Sequence, residues 1–313
     1  MILRSLLLAL STRRAFGDVL ERAPGARAFV RRFVAGTTPA DALAVMERLR
    51  QRDLLAAFTY LGENVHASAD AEAATATYLE LLDEIAGRKL AAVPSLKLTH
   101  LGLDLDPALC RKNLVRVLER AREGDTRVWV DMESTAYTER TLDLYTEIRR
   151  EYANAACVVQ AYLRRTPADV ERLITMGASL RLCKGAYREP PALAYPDKRD
   201  VDASYRRLVD RLLDADAQAR HVYVGFATHD AGMIEHIGAR VGERRIGRDR
   251  FEHQMLFGIR GDLHARIAGQ GRPLRVLVPF GEDWYGYFMR RLAERPANLL
   301  FLLKNLVRRG GGV

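Results

Sequence analysis

From residue 56 onward, short apolar runs alternate with longer amphipathic stretches. The amphipathic stretches, such as Ala71–Ile85, Pro107–Arg122 and Val201–Ala215, place their apolar residues at helical spacing. Strict alternation of this kind predicts parallel strands joined by helical crossovers. The eight runs predicted as strands are Ala56–Leu61, Val93–Leu98, Arg127–Met132, Cys157–Leu163, Ser179–Cys183, His221–Ala227, Phe251–Leu256 and Leu274–Pro279. Eight units in about 240 residues favour a closed (β/α)8 barrel, with a doubly wound open sheet as the alternative.

The residues before the first predicted strand have the periodicity of helices. Apolar side chains recur at helical spacing over 29–34 and 42–49, and Thr37–Asp41 between them is a helix start signal. The apolar run Leu6–Leu10 is much shorter than the roughly 20 residues of a membrane span, and no small-residue cleavage site follows it. We therefore predict an N-terminal helical arm over residues 1–53 and a barrel domain over residues 54–313 that ends in a helix.

The chain is basic, with a formal net charge of +9 over 313 residues. Basic and acidic side chains are interleaved on helical stretches, as over residues 202–214, so this charge does not predict a nucleic-acid site. Attraction to an anionic membrane surface is the more plausible use of the charge. The three cysteines, Cys110, Cys157 and Cys183, form no CxxC pair, which favours a reducing cytoplasm over a disulfide framework.

Charged residues accumulate where the predicted strands end. Lys97 lies near the end of the second strand, Asp131 near the end of the third, and Arg181 and Lys184 within and just after the fifth. Active sites of (β/α)8 barrels lie at this end, where side chains from different strands meet. A charge in an apolar strand is costly to bury unless it is paired, so Lys97 by itself would indicate a surface residue. Because the four come from three strands, we expect one functional cluster.

Other residues at the strand ends are less specific. Gln160 can bind a ligand or satisfy backbone groups, and Lys184-Gly185-Ala186 places a cation before small residues that a ligand can approach closely. His229 follows the sixth strand without any HxH or HExxH motif in the chain, so no zinc site is expected. No GxGxxG follows a predicted strand, which argues against a Rossmann dinucleotide site.

The last amphipathic segment combines an aromatic ring with two cations. Tyr287 precedes Arg290 and Arg291 by three and four positions, so all three share one helix face. Two guanidinium groups beside a ring suit a small carboxylate that carries an apolar ring. A basic helix end that complements the helix dipole is the alternative.

These segments together resemble the proline dehydrogenase family, and the resemblance covers nearly the whole chain from Leu61 onward. The matching segments follow the family's order and are Ser95–Leu98, Asp131–Glu133, Val159–Tyr162, Arg181–Tyr187, Phe226–His229 and Tyr287–Arg291. The size is similar to the short monofunctional bacterial form, without a fused aldehyde dehydrogenase or DNA-binding region. The resemblance implies a distorted (β/α)8 barrel that holds non-covalent FAD.

The resemblance also implies an activity, the oxidation of L-proline to 1-pyrroline-5-carboxylate by hydride transfer to FAD. Lys97, Arg290 and Arg291 would bind the proline carboxylate, and Tyr287 would pack on the proline ring. One departure is Leu277, where many members of the family place a tyrosine. We expect the pocket to be more apolar on that side.

Further roles follow from the same resemblance. Arg181 would lie at the flavin N5 edge, and Asp131 would pair with Lys97. Glu63 looks like the acidic member of an ion-pair gate whose basic partner is Arg181. The residues implied to line the cofactor are Met132, Gln160, Lys184, Gly185, Ala186, Thr228, His229 and Glu294.

The resemblance implies partners as well: a quinone that accepts the electrons, a membrane surface, and a downstream pyrroline-5-carboxylate dehydrogenase. The expected location is the cytoplasm, with peripheral contact at the inner membrane surface. Two other classes stay open at this point. One is a barrel aldolase that forms a Schiff base through Lys97 or Lys184, and the other is a basic scaffold that binds acidic partners and holds no chromophore.

Overall fold

The structure, a computed structural model, describes residues 30–294, with side chains described as far as Met289. Its strands are β1 Leu55–Tyr60, β2 Ala92–Leu96, β3 Val128–Val130, β4 Ala155–Gln160, β5 Ser179–Cys183, β6 Tyr223–Ala227, β7 Phe251–Leu256 and β8 Leu274–Phe280. Its helices are α1 Pro39–Arg50, α2 Ser68–Gly87, α3 Pro107–Glu123, α4 Thr135–Glu151, α5 Thr166–Thr175, α6 Lys198–Leu212, α7 Ala215–Ala219, α8 Ala231–Glu243, α9 Gly261–Gly269 and α10 Trp284–Glu294.

The eight strands form a closed parallel barrel in chain order, with β8 pairing back onto β1. The predicted (β/α)8 barrel is therefore confirmed, and the open-sheet alternative is wrong. The predicted bounds of β5 and β7 are those of the structure, and the other strands are displaced by a few residues. The largest difference is at β4, because the backbone turns after Gln160, where the amide of Leu163 donates to its carbonyl at 3.1 Å.

The predicted helix start at Thr37–Asp41 is confirmed by a reciprocal cap on α1. The Asp41 amide donates to Thr38 Oγ1 at 3.2 Å, and the Thr38 amide donates to Asp41 Oδ2 at 3.1 Å. Helix α1 then packs its apolar face against β1 and β8. Residues 1–29, including Leu6–Leu10, lie outside the described residues. The division of the chain at residue 53 stays a prediction.

Apolar side chains pack on both sides of the strands. The larger core joins the outer faces of the strands to the helices. A smaller cluster, made of Ala57, Val93, Trp129 and Ala156 with Tyr223 and Leu277 against it, draws on six strands. Side chains from six strands of a closed barrel can meet only in its interior, so this cluster fills the barrel.

Charged side chains share the barrel interior with this apolar cluster. The Arg181 guanidinium lies 4.7 Å from the centroid of the buried Trp129 ring, and that of Arg127 lies 5.9 Å from it. Arg275 Nε contacts Glu252 Oε1 at 2.7 Å, and both side chains are buried. The interior is therefore partly polar, unlike the layers of branched apolar residues that usually fill such barrels.

Helix α10 follows β8 and reaches the end of the barrel where the strands terminate. The ring of Phe288 lies 6.1 Å from that of Phe33, in the described part of the N-terminal arm. Tyr287 lines a cavity together with Lys97 and Arg181. A helix that contributes to the barrel mouth in this way agrees with the expected distortion of the fold. Among the described residues, no helix is both long and apolar enough to cross a bilayer.

Gly258 tests the contact between the N-terminal arm and the barrel. It has φ +76°, and a Cβ there would lie 1.5 Å from the carbonyl oxygen of Arg32. We expect Gly258→Ala to lower the free energy of unfolding by about 3 kcal/mol, since both the backbone conformation and the contact are unfavourable. Urea unfolding measures this change. In the control Gly242→Ala, on α8, the new Cβ meets no atom within 4 Å, so stability should be unchanged or higher. Equal effects of the two substitutions would contradict this account.

His253 on β7 gives a second prediction, on the acid stability of the fold. Its ring is buried, and burial lowers the pKa of His253 to about 4 from an ordinary value of 6.5. Well above pH 6.5 the ring is neutral in both the folded and the unfolded chain, whereas between pH 6.5 and about pH 4 only the unfolded chain takes up the proton. The His253 contribution is therefore lost as the pH falls, by about 2 kcal/mol between pH 6.5 and pH 4.5.

The substitution His253→Gln should remove this part of the pH dependence, whatever its own effect on stability at neutral pH. Urea unfolding at several pH values compares it with the wild type and with His66→Gln, at an exposed position. The His66 variant should keep the wild-type slope. A wild-type slope in the His253 variant would show that His253 does not hold a depressed pKa.

Candidate active site

A cavity of about 460 Å³ opens at the C-terminal ends of the strands. Most of the residues singled out from the sequence line it. For substrate and chemistry these are Lys97, Asp131, Arg181 and Tyr287, and for the cofactor Met132, Gln160, Lys184, Gly185, Ala186, Thr228 and His229. Glu63 reaches the same site through contact with Lys97. Arg290, Arg291 and Glu294 belong to α10, but their side chains lie outside the described residues. The structure brings the described residues together, and their individual roles stay predictions.

Arg181 lies on β5 and is almost fully buried. Its Nη1 donates to Asp131 Oδ1 at 2.6 Å and to Ser95 Oγ at 2.8 Å, and its Nε donates to Gln254 Oε1. Burial lowers the pKa of Arg181, and the Asp131 carboxylate opposes that change. Partners from three other strand ends therefore hold a charged guanidinium at the wall of the cavity.

The ion pairs at the mouth differ from those expected. Asp131 was expected to pair with Lys97, but it accepts from Arg181 and Ser95 instead. Arg181 was expected to pair with Glu63, but Glu63 contacts Lys97. The correction has a geometric reason, because Arg181 extends inside the barrel toward Asp131, whereas Lys97 lies beyond the end of β2, beside the loop that follows β1.

Lys184 follows β5 and is held by two carboxylates. Its Nζ contacts Asp202 Oδ1 on α6 at 2.5 Å and Asp230 Oδ2 at 2.8 Å. Asp230 also caps the N-terminus of α8 by accepting from the amides of Gly232 and Met233. Burial would raise the pKa of Asp230, but Lys184 and the cap lower it to about 2. The Lys184 ammonium is thus fixed at the cavity wall by two helices.

Gln160 and Glu133 organise the loop after β3. Gln160 Nε2 donates to the Glu133 carbonyl at 2.8 Å. The Glu133 carboxylate accepts from Thr99 Oγ1 at 2.8 Å and from the Thr99 amide at 3.3 Å. Burial raises the pKa of Glu133. Gln160 therefore satisfies a backbone group at the cavity wall, and its binding of a ligand stays a prediction.

One wall of the cavity is built from backbone and small residues. Gly185 has φ +107°, and a Cβ there would lie 2.1 Å from the ring of Tyr162. Thr228 and His229 follow β6, and His229 Nε2 accepts from the Leu256 amide at 2.9 Å. Gly185 is therefore required for the packing of Tyr162 behind this wall, and a side chain there would disturb the wall.

The chemistry of the lining suits a flavin ring. Apolar side chains, among them Met132, Val158 and Leu277, offer a surface for a flat aromatic system. Hydrogen-bonding groups from Gln160, Arg181, Lys184, Thr228 and His229 surround that surface. Three cations and one carboxylate line the cavity among the described residues, which favours a ligand that gains negative charge on reduction. Leu277 lies in the lining, as its expected effect on the pocket requires.

Sequence reasoning missed two contributors to the site, Gln254 and Asp202. Gln254 lies in an apolar strand, and with Glu252 it places polar residues at alternate positions of β7. Alternate polar residues share one face of a strand, which was the available signal for a polar barrel interior. Asp202 lies on an amphipathic helix among other charged residues, and nothing in its sequence setting distinguishes it.

Comparisons with known proteins agree with this geometry. The model of the proline dehydrogenase family matches residues 42–304. The chain is 38% identical over 309 residues to proline dehydrogenase 1 of Bacillus subtilis subsp. natto, covering 98% of this chain and 100% of that protein. It is 34% identical over 282 residues to proline dehydrogenase of Deinococcus radiodurans, covering 88% of this chain and 89% of that protein.

A similar fold occurs in the crystal structure of proline utilization A from Bdellovibrio bacteriovorus inactivated by N-propargylglycine. The TM-score is 0.79 at 24% identity, and the match covers 86% of this chain. This chain spans only 33% of that longer protein, and at 24% identity the likeness supports the fold alone. The family model and the similarities to these two relatives together show that the chain belongs to the proline dehydrogenase family.

Proposed function

We propose that the chain oxidises L-proline to 1-pyrroline-5-carboxylate, the first step of proline catabolism, with non-covalently bound FAD. The observation that carries the proposal is the convergence of Lys97, Arg181 and Tyr287 on one cavity at the barrel mouth. Lys97 offers a cation for a carboxylate, and Tyr287 offers an aromatic surface for an apolar ring. Arg181 places a buried guanidinium beside a surface that suits a flat ligand. Family membership supports the same reaction and argues against the Schiff-base aldolase and the non-catalytic scaffold.

A proline carboxylate would compete with Glu63 for the ammonium of Lys97. Lys97 contacts the Glu63 carboxylate in the present structure. A substrate carboxylate can replace that carboxylate with little loss for the ammonium, because one charge-assisted contact is exchanged for another. Arg290 and Arg291 would complete the clamp from α10, as the sequence predicts. Tyr287 would then pack against the proline ring.

The positive charge of the site also assists the chemistry. Free proline carries an ammonium group in neutral water, and its nitrogen must lose a proton to solvent before its lone pair can stabilise the forming iminium. Cations at Lys97 and Arg181 disfavour a second positive charge nearby and so favour the neutral amine. FAD, when bound, would supply the acceptor for the hydride that leaves C5. Holding substrate in this orientation makes the transfer effectively intramolecular.

Partners and location complete the proposal. We propose a membrane quinone as the acceptor of the two electrons and peripheral contact between the basic surface and the inner face of the membrane. A pyrroline-5-carboxylate dehydrogenase would consume the product. The net charge of +9 supports contact with the cytoplasmic surface of an anionic bilayer.

The deciding experiment is an absorption spectrum of the purified protein. We expect a yellow preparation with a flavin spectrum that L-proline bleaches under anaerobic conditions, because two electrons pass from substrate to cofactor. L-Leucine, a carboxylate without the pyrrolidine ring, serves as the control and should leave the spectrum unchanged. A colourless protein that cannot be loaded with FAD, or a flavin that proline does not reduce, would overturn the proposed function.

The carboxylate role of Lys97 has its own test. We expect Lys97→Met to raise the KM for proline by roughly tenfold to a hundredfold, since a hydrogen bond to a charged group contributes about 1.5–3 kcal/mol. Flavin content should stay at the wild-type level. Steady-state kinetics with the absorption spectrum measure both quantities. The matched control is Lys112→Met on α3, whose side chain is 65% exposed and which should leave both unchanged.

Arg291 is predicted from the sequence to act in the same clamp. We expect Arg291→Met to raise the KM for proline far more than it changes flavin content, for the same energetic reason. Arg266→Met on α9, at a surface ion pair with Glu235, is the matched control. An unchanged KM in the Arg291 variant with normal flavin loading would reject its assignment to the clamp.

A further inference from the structure

The amide of Gln254 connects two charged side chains inside the barrel. Arg181 Nε donates to Gln254 Oε1, and Gln254 Nε2 donates to Glu252 Oε1 at 2.6 Å. Glu252 Oε1 also accepts from Arg275 Nε at 2.7 Å. All four side chains are buried. We call this continuous set of hydrogen bonds, Arg181–Gln254–Glu252–Arg275, the interior relay.

The chemistry of the two ends of the interior relay fixes the orientation of the Gln254 amide. A guanidinium can only donate and an ionised carboxylate can only accept, so the amide oxygen must face Arg181 and the amide nitrogen must face Glu252. Burial would raise the pKa of Glu252, but the charge and hydrogen bond of Arg275 hold that pKa below its ordinary value. Glu252 therefore stays an acceptor, and the reversed amide is excluded at both ends.

A fixed amide in turn fixes the guanidinium of Arg181. Its Nε is taken by Gln254, and the two N–H groups on Nη1 are taken by Asp131 and Ser95. Among residues 30–289, Nη2 has no hydrogen-bond partner, although Arg181 lines the cavity. Because the guanidinium is planar, holding Nε and Nη1 sets the direction of Nη2. The two N–H groups of Nη2 therefore have a fixed direction.

Gly225 provides the space that the Gln254 amide occupies. It lies on β6, where it pairs with Glu252 on β7 and with Arg181 on β5. A Cβ on Gly225 would lie 2.4 Å from Gln254 Nε2. A side chain at this position would displace the amide and leave the backbone of both strands in place.

We propose that Gln254 and Glu252 are positioning residues that direct the Nη2 donors of Arg181 into the cavity, and that Gly225 is needed to admit the Gln254 amide. One consequence rests on the proposed function: the directed guanidinium would stabilise the reduced flavin. The structural part, the ordered Nε–H of Arg181, does not depend on any activity. Two measurements separate these parts.

The first measurement uses the protein without flavin. We expect the Nε–H of Arg181 to show slow hydrogen exchange by NMR, with the resonance assigned by its loss in Arg181→Lys. Gly225→Ala should accelerate that exchange at least tenfold, because the new methyl group displaces the accepting amide. Gly242→Ala is the matched control and should not change it. Fast exchange in the wild type, or unchanged exchange in Gly225→Ala, would overturn the interior relay whatever the enzyme does.

The second measurement uses the flavin-loaded enzyme. We expect Gly225→Ala to lower kcat at least tenfold with little change in the KM for proline, since the carboxylate clamp is elsewhere. The equilibrium between oxidised and reduced flavin should shift at least tenfold toward the oxidised form, about 30 mV for a two-electron couple. A merely structural effect would lower the melting temperature and the flavin content and leave the potential of the loaded fraction unchanged, which would contradict positioning.

A second substitution reaches the same amide from the other side. The double variant Glu252→Gln/Arg275→Met replaces the carboxylate with a neutral amide that can both donate and accept. The Arg275→Met change removes the guanidinium that would otherwise be buried without a charged partner. We expect the same faster exchange and the same direction of the potential shift as in Gly225→Ala. Wild-type values for both would refute the role of Glu252. If wild-type enzyme is not reduced by proline while the exchange results hold, the proposed function fails and the interior relay stands.

Discussion

A guanidinium buried inside a barrel needs an opposite charge and hydrogen-bond acceptors. For Arg181 these partners come from several strands. Its partners Ser95, Asp131 and Gln254 come from β2, from the end of β3 and from β7, and its face rests on Trp129. Burial of an unpaired ion costs several kcal/mol, so these partners must arrive together. They can do so only when the eight strands have closed in the correct order. Closure of the barrel and assembly of the site are therefore one constraint.

Much of this architecture is predictable from residue patterns, since strict alternation of apolar and amphipathic segments leaves few topologies. The position of the site also follows, because parallel strands place all their carboxyl ends on one side. Lys97, Asp131, Arg181 and Lys184 were expected in one cluster on that basis, and they line one cavity. One error was local: the chain turns after Gln160, whereas apolar composition alone predicted that the strand continues to Leu163.

The pairing of charges within the cluster was not predictable in the same way. Membership in a cluster depends on which strand ends are charged, whereas pairing depends on how far each side chain extends along the barrel axis. Arg181 extends inward and meets Asp131, which leaves Lys97 to the Glu63 carboxylate beyond β1. Strand order does not contain this information, because it does not determine how far each side chain extends along the barrel axis.

The polar face of β7 connects these points. A buried Glu–Arg pair such as Glu252–Arg275 stabilises a protein little compared with apolar residues of the same size, so stability alone does not explain it. The pair instead gives the Gln254 amide one orientation, and the amide gives Arg181 one direction. Arg181 Nε could donate to any acceptor, but its direction is fixed only if the accepting Gln254 amide cannot reverse. The Glu252–Arg275 ion pair prevents that reversal. It lies away from the cavity, where no ligand can compete for the Glu252 carboxylate.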